Sequence, residues 1–327
     1  MIKLGIIGTN WISKSFLEAA LLTKKFAFAG VYSRKKETGQ AFCQDFGQGF
    51  VEVDFADFCN RREVEAVYIA SPNALHFEQA KALLMSGTHV IVEKPAFSNS
   101  FEWEEIRRVA SEHGVMVLEA ARHIHEGNFK VLKQALKKIG TPIGGYLNYI
   151  QYSSRYDEVL KGGTPNIFSL DYSGGALMDL GVYPIYAAVK LFGMPLQGRY
   201  FARTVQTGVD GIGTVVLSYE GFDLTLLISK IARTKSHLEI YGTTGTLIAN
   251  SVANIDSIAI LDQDGLSQNL AAPLKAHGMV EEAHVFGDIL KNQDWDAYEE
   301  LLELSENVSR LMTGLRKDAG IVFSADK

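Results

Sequence analysis

The first 121 residues alternate short, nearly all-apolar runs with longer stretches whose apolar residues recur at helical spacing. The runs are Ile2 to Ile7, Phe26 to Tyr32, Ala66 to Ala70, His89 to Val92 and Val115 to Leu118; helical spacing falls at Ile12 to Leu22, Leu75 to Met85 and Ser100 to His113. Strands separated by helices pair in parallel, and a strand apolar along its whole length has both faces covered. An α/β domain is therefore expected, built on a doubly wound parallel sheet. Ligands of such a sheet sit beyond the carboxyl ends of its strands. The residues just after each run are the first candidates for a site.

After the first run come Gly8, Thr9, Asn10, Trp11, Ile12 and Ser13, a GxGxxG dinucleotide fingerprint with its second and third glycines replaced by Asn10 and Ser13. Helix N-terminal amides can hold a pyrophosphate at such a turn. Asn tolerates positive φ better than other non-glycine residues, so Asn10 is expected to preserve the turn. A simple strand-to-helix turn is the alternative. At the end of the second run, where an NAD site usually carries an acid, this chain has Ser33, Arg34 and Lys35. A hydroxyl and a planar cation suit a 2′-phosphate and favour NADP over NAD, against an exposed basic turn as the other reading.

The third run leads to Ser71, Pro72, Asn73 and His76. Asn73 is placed to cap the helix that follows, and a cofactor lying across these strand ends would bring Asn73 and His76 near its nicotinamide. The fourth run leads to Glu93, Lys94 and Pro95, one charge of each sign at the rim of a buried sheet. Desolvation there is costly unless the charges have partners or work; an exposed ion pair at a loop start would avoid that cost.

A chain of 327 residues is long for one core, so two domains are expected: 1–121 for the dinucleotide and 122–327 for substrate and oligomerisation. A formal net charge of −6 lends no support to nucleic-acid or anionic-membrane binding and leaves a small-molecule substrate. Cys43 and Cys59 lie in no metal or CxxC spacing, and point to reduced thiols and a cytoplasmic protein with no metal centre. No run approaches the roughly 18 apolar residues of a membrane span.

Beyond the first domain, strand-like runs follow at Tyr146 to Tyr152, Tyr200 to Gln206, Thr214 to Tyr219, Asp223 to Ser229, Ser236 to Tyr241, Thr246 to Ala249 and Ser257 to Leu261. Short turns between them predict an α+β domain with a large, mostly antiparallel open sheet, one face covered by helices. The other face is expected to carry self-association, as a dimer or tetramer. Arg122 is a substrate-side candidate or a solvated linker charge. Residues 174–184, GGALMDLGVYP, set Asp179 and Tyr183 one helical turn apart. A carboxylate beside a phenol suits proton transfer, and a helix start with a buried tyrosine has the same spacing.

The segments GIIGTNWIS, SPNALH, VIVEKP and GGALMDLGVYP occur in the order and rough spacing of the Gfo/Idh/MocA oxidoreductases, which the chain resembles over nearly its whole length. The resemblance implies a Rossmann domain, a second domain with a large open sheet, and NAD or NADP chemistry on a sugar, polyol or related alcohol. It also implies Lys94, Asp179 and Tyr183 as the catalytic group. Many members carry His where this chain has Tyr183; the Tyr form resembles the branch of glucose-fructose oxidoreductase and the dimeric dihydrodiol dehydrogenases. A tyrosine ordinarily titrates near ~10, so a phenol working at neutral pH needs a cation such as Lys94 beside it. Asp179 would hold Lys94 or bind a second substrate hydroxyl. A catalytically inactive NAD(P)-binding sensor on the same scaffold is the alternative function.

Overall fold

In the computed structural model, residues 1–47 and 49–327 are described. The chain divides into two units, Met1–Arg122 with His277–Glu306, and His123–Ala276 with Asn307–Lys327.

The first unit runs β1 (Ile2–Ile7), α1 (Trp11–Leu22), β2 (Phe26–Tyr32), α2 (Lys36–Asp45), β3 (Phe50–Glu52), α3 (Phe55–Cys59), β4 (Ala66–Ile69), α4 (His76–Met85), β5 (His89–Glu93), α5 (Ser100–His113) and β6 (Val117–Ala120). Its six strands pair in parallel in the order β3-β2-β1-β4-β5-β6. The chain winds outward from β1 to β3, then returns to β4 on the other side of β1. The carboxyl ends of β1 and β4 therefore form the switch point at which such sheets bind ligands. All four residues of β4 and of β6 are buried, which is why these strands read as continuous apolar runs. Phe16 of α1 stacks flat on Tyr68 of β4, with ring centroids 3.9 Å apart. The edge strand β3 has only three residues, all half-buried, too few for a period to show.

The second unit runs α6 (Gly127–Leu136), β7 (Pro142–Ile150), α7 (Tyr156–Leu160), α8 (Val182–Phe192), β8 (Gln197–Thr204), β9 (Asp210–Tyr219), β10 (Phe222–Ser229), β11 (Leu238–Gly242), β12 (Thr246–Ala249), β13 (Ile258–Asp262) and β14 (Gly265–Leu266). The sheet order is β14-β13-β12-β11-β7-β10-β9-β8, antiparallel except for β7 beside β10. Register alternates burial along whole rows. Leu217, Leu224, Gly145, Ile240, Leu247 and Ile260 are paired neighbours across six strands, and all are buried. The adjacent row, Val216, Thr225, Tyr146, Glu239, Ile248 and Ala259, is half-buried throughout. A period of two separates a covered face from an open one.

The helical run Leu170–Phe192 has a mean hydropathy of 1.2 over an 18-residue window, so by length and composition it passes as a membrane span, contrary to the expectation from the sequence. Since 72% of that window is buried inside the fold, it is a core element of this sheet. Two helices close the chain, α9 (Val280–Asn292) and α10 (Trp295–Asp318). Ala283, Phe286, Ile289 and Leu290 of α9 join the core of the first unit, together with Tyr298 and Leu302 of α10. Their helical spacing marks them as core but does not say of which sheet.

Candidate active site

The β1–α1 turn needs a glycine once and an asparagine once, for different reasons. Gly8 has φ +100°, and a Cβ there would lie 2.8 Å from Ala70 O. Asn10 does not replace a positive-φ glycine: its backbone is extended, with φ −80° and ψ 177°. Its side chain instead caps α1, Oδ1 accepting from the amides of Ile12 at 3.0 Å and Ser13 at 3.1 Å, while Nδ2 donates to Ala70 O at 2.8 Å. One residue thus caps the helix and ties it to the end of β4. The Trp11 indole beside it is 76% exposed and Thr9 is half-buried. At the end of β2, Ser33 is buried; its hydroxyl donates to Lys35 O at 2.9 Å and meets Thr38 Oγ1 at 2.7 Å, which fixes the turn. Arg34 and Lys35 are exposed.

Beyond β4, Asn73 opens a single 3-10 turn over Asn73–Leu75; neither that turn nor α4 has a side-chain cap, so Asn73 is not the N-cap its type suggests. Ser71 Oγ donates to Gln79 Oε1 at 2.7 Å. His76 is buried, its Nδ1 3.0 Å from Ala96 O and its Nε2 2.8 Å from Ser71 O. Both ring nitrogens are engaged with backbone, joining the loop after β4 to the loop after β5. Burial pulls its pKa down, against the opposing pull of these carbonyls.

Glu93 is buried at the end of β5, not part of an exposed pair. It accepts from Tyr68 OH at 2.5 Å and from the Lys94 amide at 3.2 Å. Burial raises its pKa, while the charges of Lys94 and Arg122 and the Tyr68 hydrogen bond lower it. Arg122 therefore belongs to the electrostatics of this strand end. The Lys94–Pro95 bond is cis. Ala96 N donates to the buried Glu119 at 2.9 Å, so the Ala96 peptide is held by Glu119 on one side and His76 on the other. Glu119 lies inside an apolar run, and the run hides it.

In the second unit, residues 174–184 are built around a buried carboxylate. A Cβ on Gly174 would lie 2.6 Å from the carbonyl carbon of Ile167; Gly175 has φ +123°, and its Cβ would lie 2.1 Å from Asp210 Oδ1. Asp210 Oδ2 accepts from Leu177 N and from Tyr200 OH, each at 2.6 Å. Burial raises its pKa, and these two donors lower it. The chain then makes a π turn over Leu177–Gly181 before α8 begins. An α-helix from Ala176 was the expectation; the wider turn is of a kind found mostly at functional sites.

From Ser173 to Val189 every residue is buried except Asp179, in the middle of this turn. Within its own unit Asp179 pairs with Lys230, Oδ2 lying 2.9 Å from Nζ. Lys230 follows an apolar strand directly, the same signal that drew attention to Glu93 and Lys94, and could have been read from it. One turn on from Asp179, the Tyr183 ring stacks on Tyr149 at 4.5 Å and lies 4.9 Å from the His123 ring. His123 Nε2 is 3.1 Å from Tyr183 O. Tyr183 is thus held on both sides by aromatic rings of its own unit.

Residues 2–121 match the oxidoreductase family with an NAD-binding Rossmann fold (GFO_IDH_MocA), and residues 131–248 match the GFO/IDH/MocA C-terminal domain. The chain is 40% identical over 327 residues, covering 100% of both, to scyllo-inositol 2-dehydrogenase (NADP(+)) IolU of Bacillus subtilis (strain 168). It is 29% identical over 259 residues, 77% of this chain and 75% of the other, to a dTDP-3,4-didehydro-2,6-dideoxy-alpha-D-glucose 3-reductase of Actinomadura kijaniata. A crystal structure of a 3-ketoreductase from Actinomadura kijaniata in complex with NADP superimposes with a TM-score of 0.84, at 23% identity and 97% coverage of both chains. Family motifs, both matching domains and full-length identity agree: the chain belongs to the Gfo/Idh/MocA family of oxidoreductases.

Proposed function

We propose that this protein is an NADP-dependent oxidoreductase that moves a hydride between nicotinamide and a carbinol or carbonyl carbon of a polyol or sugar, with cyclic polyols of the inositol class foremost. The observation that carries this is Asp179, a partly exposed carboxylate in an otherwise buried helical run, one turn before Tyr183. Full-length identity to a scyllo-inositol dehydrogenase supports the substrate class. The residues of the first unit fit a dinucleotide: Gly8 allows the positive-φ turn and its close approach to Ala70 O, and the capped N-terminus of α1 favours an anion. Because Asn10 already satisfies the Ile12 and Ser13 amides, the pyrophosphate falls to the turn residues Gly8 to Trp11. Arg34, exposed beyond β2, is assigned to a 2′-phosphate.

A bound nicotinamide would supply the hydride chemistry. The chain's own residues handle the proton and the hydroxyls. As the carbinol is oxidised, its C–H pair leaves as hydride and its O–H proton passes to the deprotonated phenolic oxygen of Tyr183; in reduction of the ketone the phenol gives that proton to the new alkoxide. Asp179 accepts a hydrogen bond from a neighbouring hydroxyl, which favours a vicinal diol. Lys94 orients the reacting oxygen, a role that the family resemblance assigns. Tyr183→Phe is expected to lower kcat by about a hundredfold or more while NADPH affinity stays near wild type. Turnover retained in that variant would remove Tyr183 from the mechanism. Comparing kcat/KM for NADP and NAD, with Arg34→Ala beside the wild type, tests the cofactor; preference for NAD would defeat the Arg34 assignment. Tight NADP binding without turnover on any polyol or sugar would favour the sensor.

A further inference from the structure

Lys230 is a buried cation that the resemblance does not single out. It follows β10 directly, and its side chain is 1% exposed. Its ammonium lies 2.9 Å from Asp179 Oδ2, donates to Ile167 O at 2.8 Å, and sits 4.5 Å above the centre of the Phe168 ring. Asp210 feels its charge as well. Burying an ammonium is costly unless its partners repay it, and an apolar side chain of similar volume would fill the space without that cost. What the ammonium adds is a fixed direction and a fixed charge for its carboxylate.

The pair is asymmetric: the Asp179 side chain is 31% exposed and that of Lys230 is 1%. A ligand can reach the carboxylate and not the ammonium, so Lys230 can act on a substrate only through Asp179. Its second bond, to Ile167 O, goes to the 3-10 turn Asn166–Phe168, within the loop that precedes residues 174–184.

We propose that Lys230 is a positioning residue that fixes the Asp179 carboxylate for a substrate hydroxyl and ties it to the Asn166–Phe168 turn, so that carboxylate and loop are set together. This rests on Asp179 being a substrate ligand. The test is a double-mutant cycle on the full chain with NADP and scyllo-inositol, using Lys230→Met, Asp179→Asn and the pair. Lys230→Met should lower kcat/KM roughly a hundredfold with the Kd for NADPH changed by no more than about twofold. The pair should lose much less than the product of the two single losses, because Lys230 reaches the substrate's hydroxyl through Asp179. Losses that multiply in the pair, or wild-type kcat/KM in Lys230→Met, would overturn the proposal. If Lys230→Met alone does not fold, the paired variant, which removes both members of the ion pair, still makes the comparison with Asp179→Asn. Hydrogen exchange of peptides covering 166–181 gives a readout free of substrate identity: it should quicken when Lys230 is replaced, and unchanged exchange overturns the assignment. A wild type inactive on every polyol would sink the functional reading and leave this exchange result to decide Lys230.

Discussion

A methyl group on Gly175 would lie 2.1 Å from Asp210 Oδ1, on a buried carboxylate whose other oxygen is held by two donors. Neither partner can give way, and φ +123° is a conformation that side chains rarely adopt. Gly175→Ala should therefore cost roughly 2–4 kcal/mol, read as a lower urea midpoint at unchanged m; a loss within error of zero would show that Asp210 is free to move. His125 is a second such residue. Burial first, then the charges of Lys190 and Lys130, push its pKa down to about 3. An unfolded histidine titrates near ~6.5, so below that pH the unfolded chain binds the extra proton and the folded one does not. Stability is full above about pH 6.5 and is lost as pH falls through the window toward about 3, with His76 adding in the same direction. His125→Gln should narrow the gap between urea midpoints at about pH 7 and about pH 5. An unchanged gap would place the acid sensitivity elsewhere. At this scale residue type was legible and conformation was not: Asn10 reads as a glycine substitute and folds as a cap.

That difference is testable at the level of the β1–α1 element. If Asn10 stood in for glycine at positive φ, Asn10→Gly would stabilise the protein. With φ −80° and four side-chain hydrogen bonds, it should instead cost about 1 kcal/mol, measured by thermal or urea unfolding. Elements whose boundaries are set locally were read well. The helix Ser100–His113 begins at the Asn99 cap and ends at Gly114, with φ +64°, and both signals stand in the chain. The π turn Leu177–Gly181 gave no such signal. Its first amide is taken by Asp210, a residue of another strand, and the helical pattern of 176–192 carries no trace of that.

On the second sheet, the row through Val216, Thr225, Tyr146, Ile248 and Ala259 is half-buried and lies on the face opposite the buried row. We propose that copies of the chain associate through it. Light scattering at micromolar concentration should give a multiple of the single-chain mass, and Val216→Lys with Ile248→Lys should reduce it toward one chain; a wild type that scatters as a single chain would end the idea. The sequence alone determined the longer strands and helices and their order, the parallel first sheet and the mostly antiparallel second, because periods of two and 3.6 and burial on one face or two are local properties; the short β3 and β14 show no such period. It also placed Glu93 and Lys94 at the end of a strand, and Asp179 and Tyr183 one helical turn apart. What only the tertiary structure decided is how the buried charges are matched: Asp179 with Lys230, Leu177 with Asp210, and the Ala96 peptide with His76 and Glu119. Each pairing joins segments that strand order brings together, as the parallel β7–β10 contact shows, and spacing along a chain does not encode which strand lies beside which.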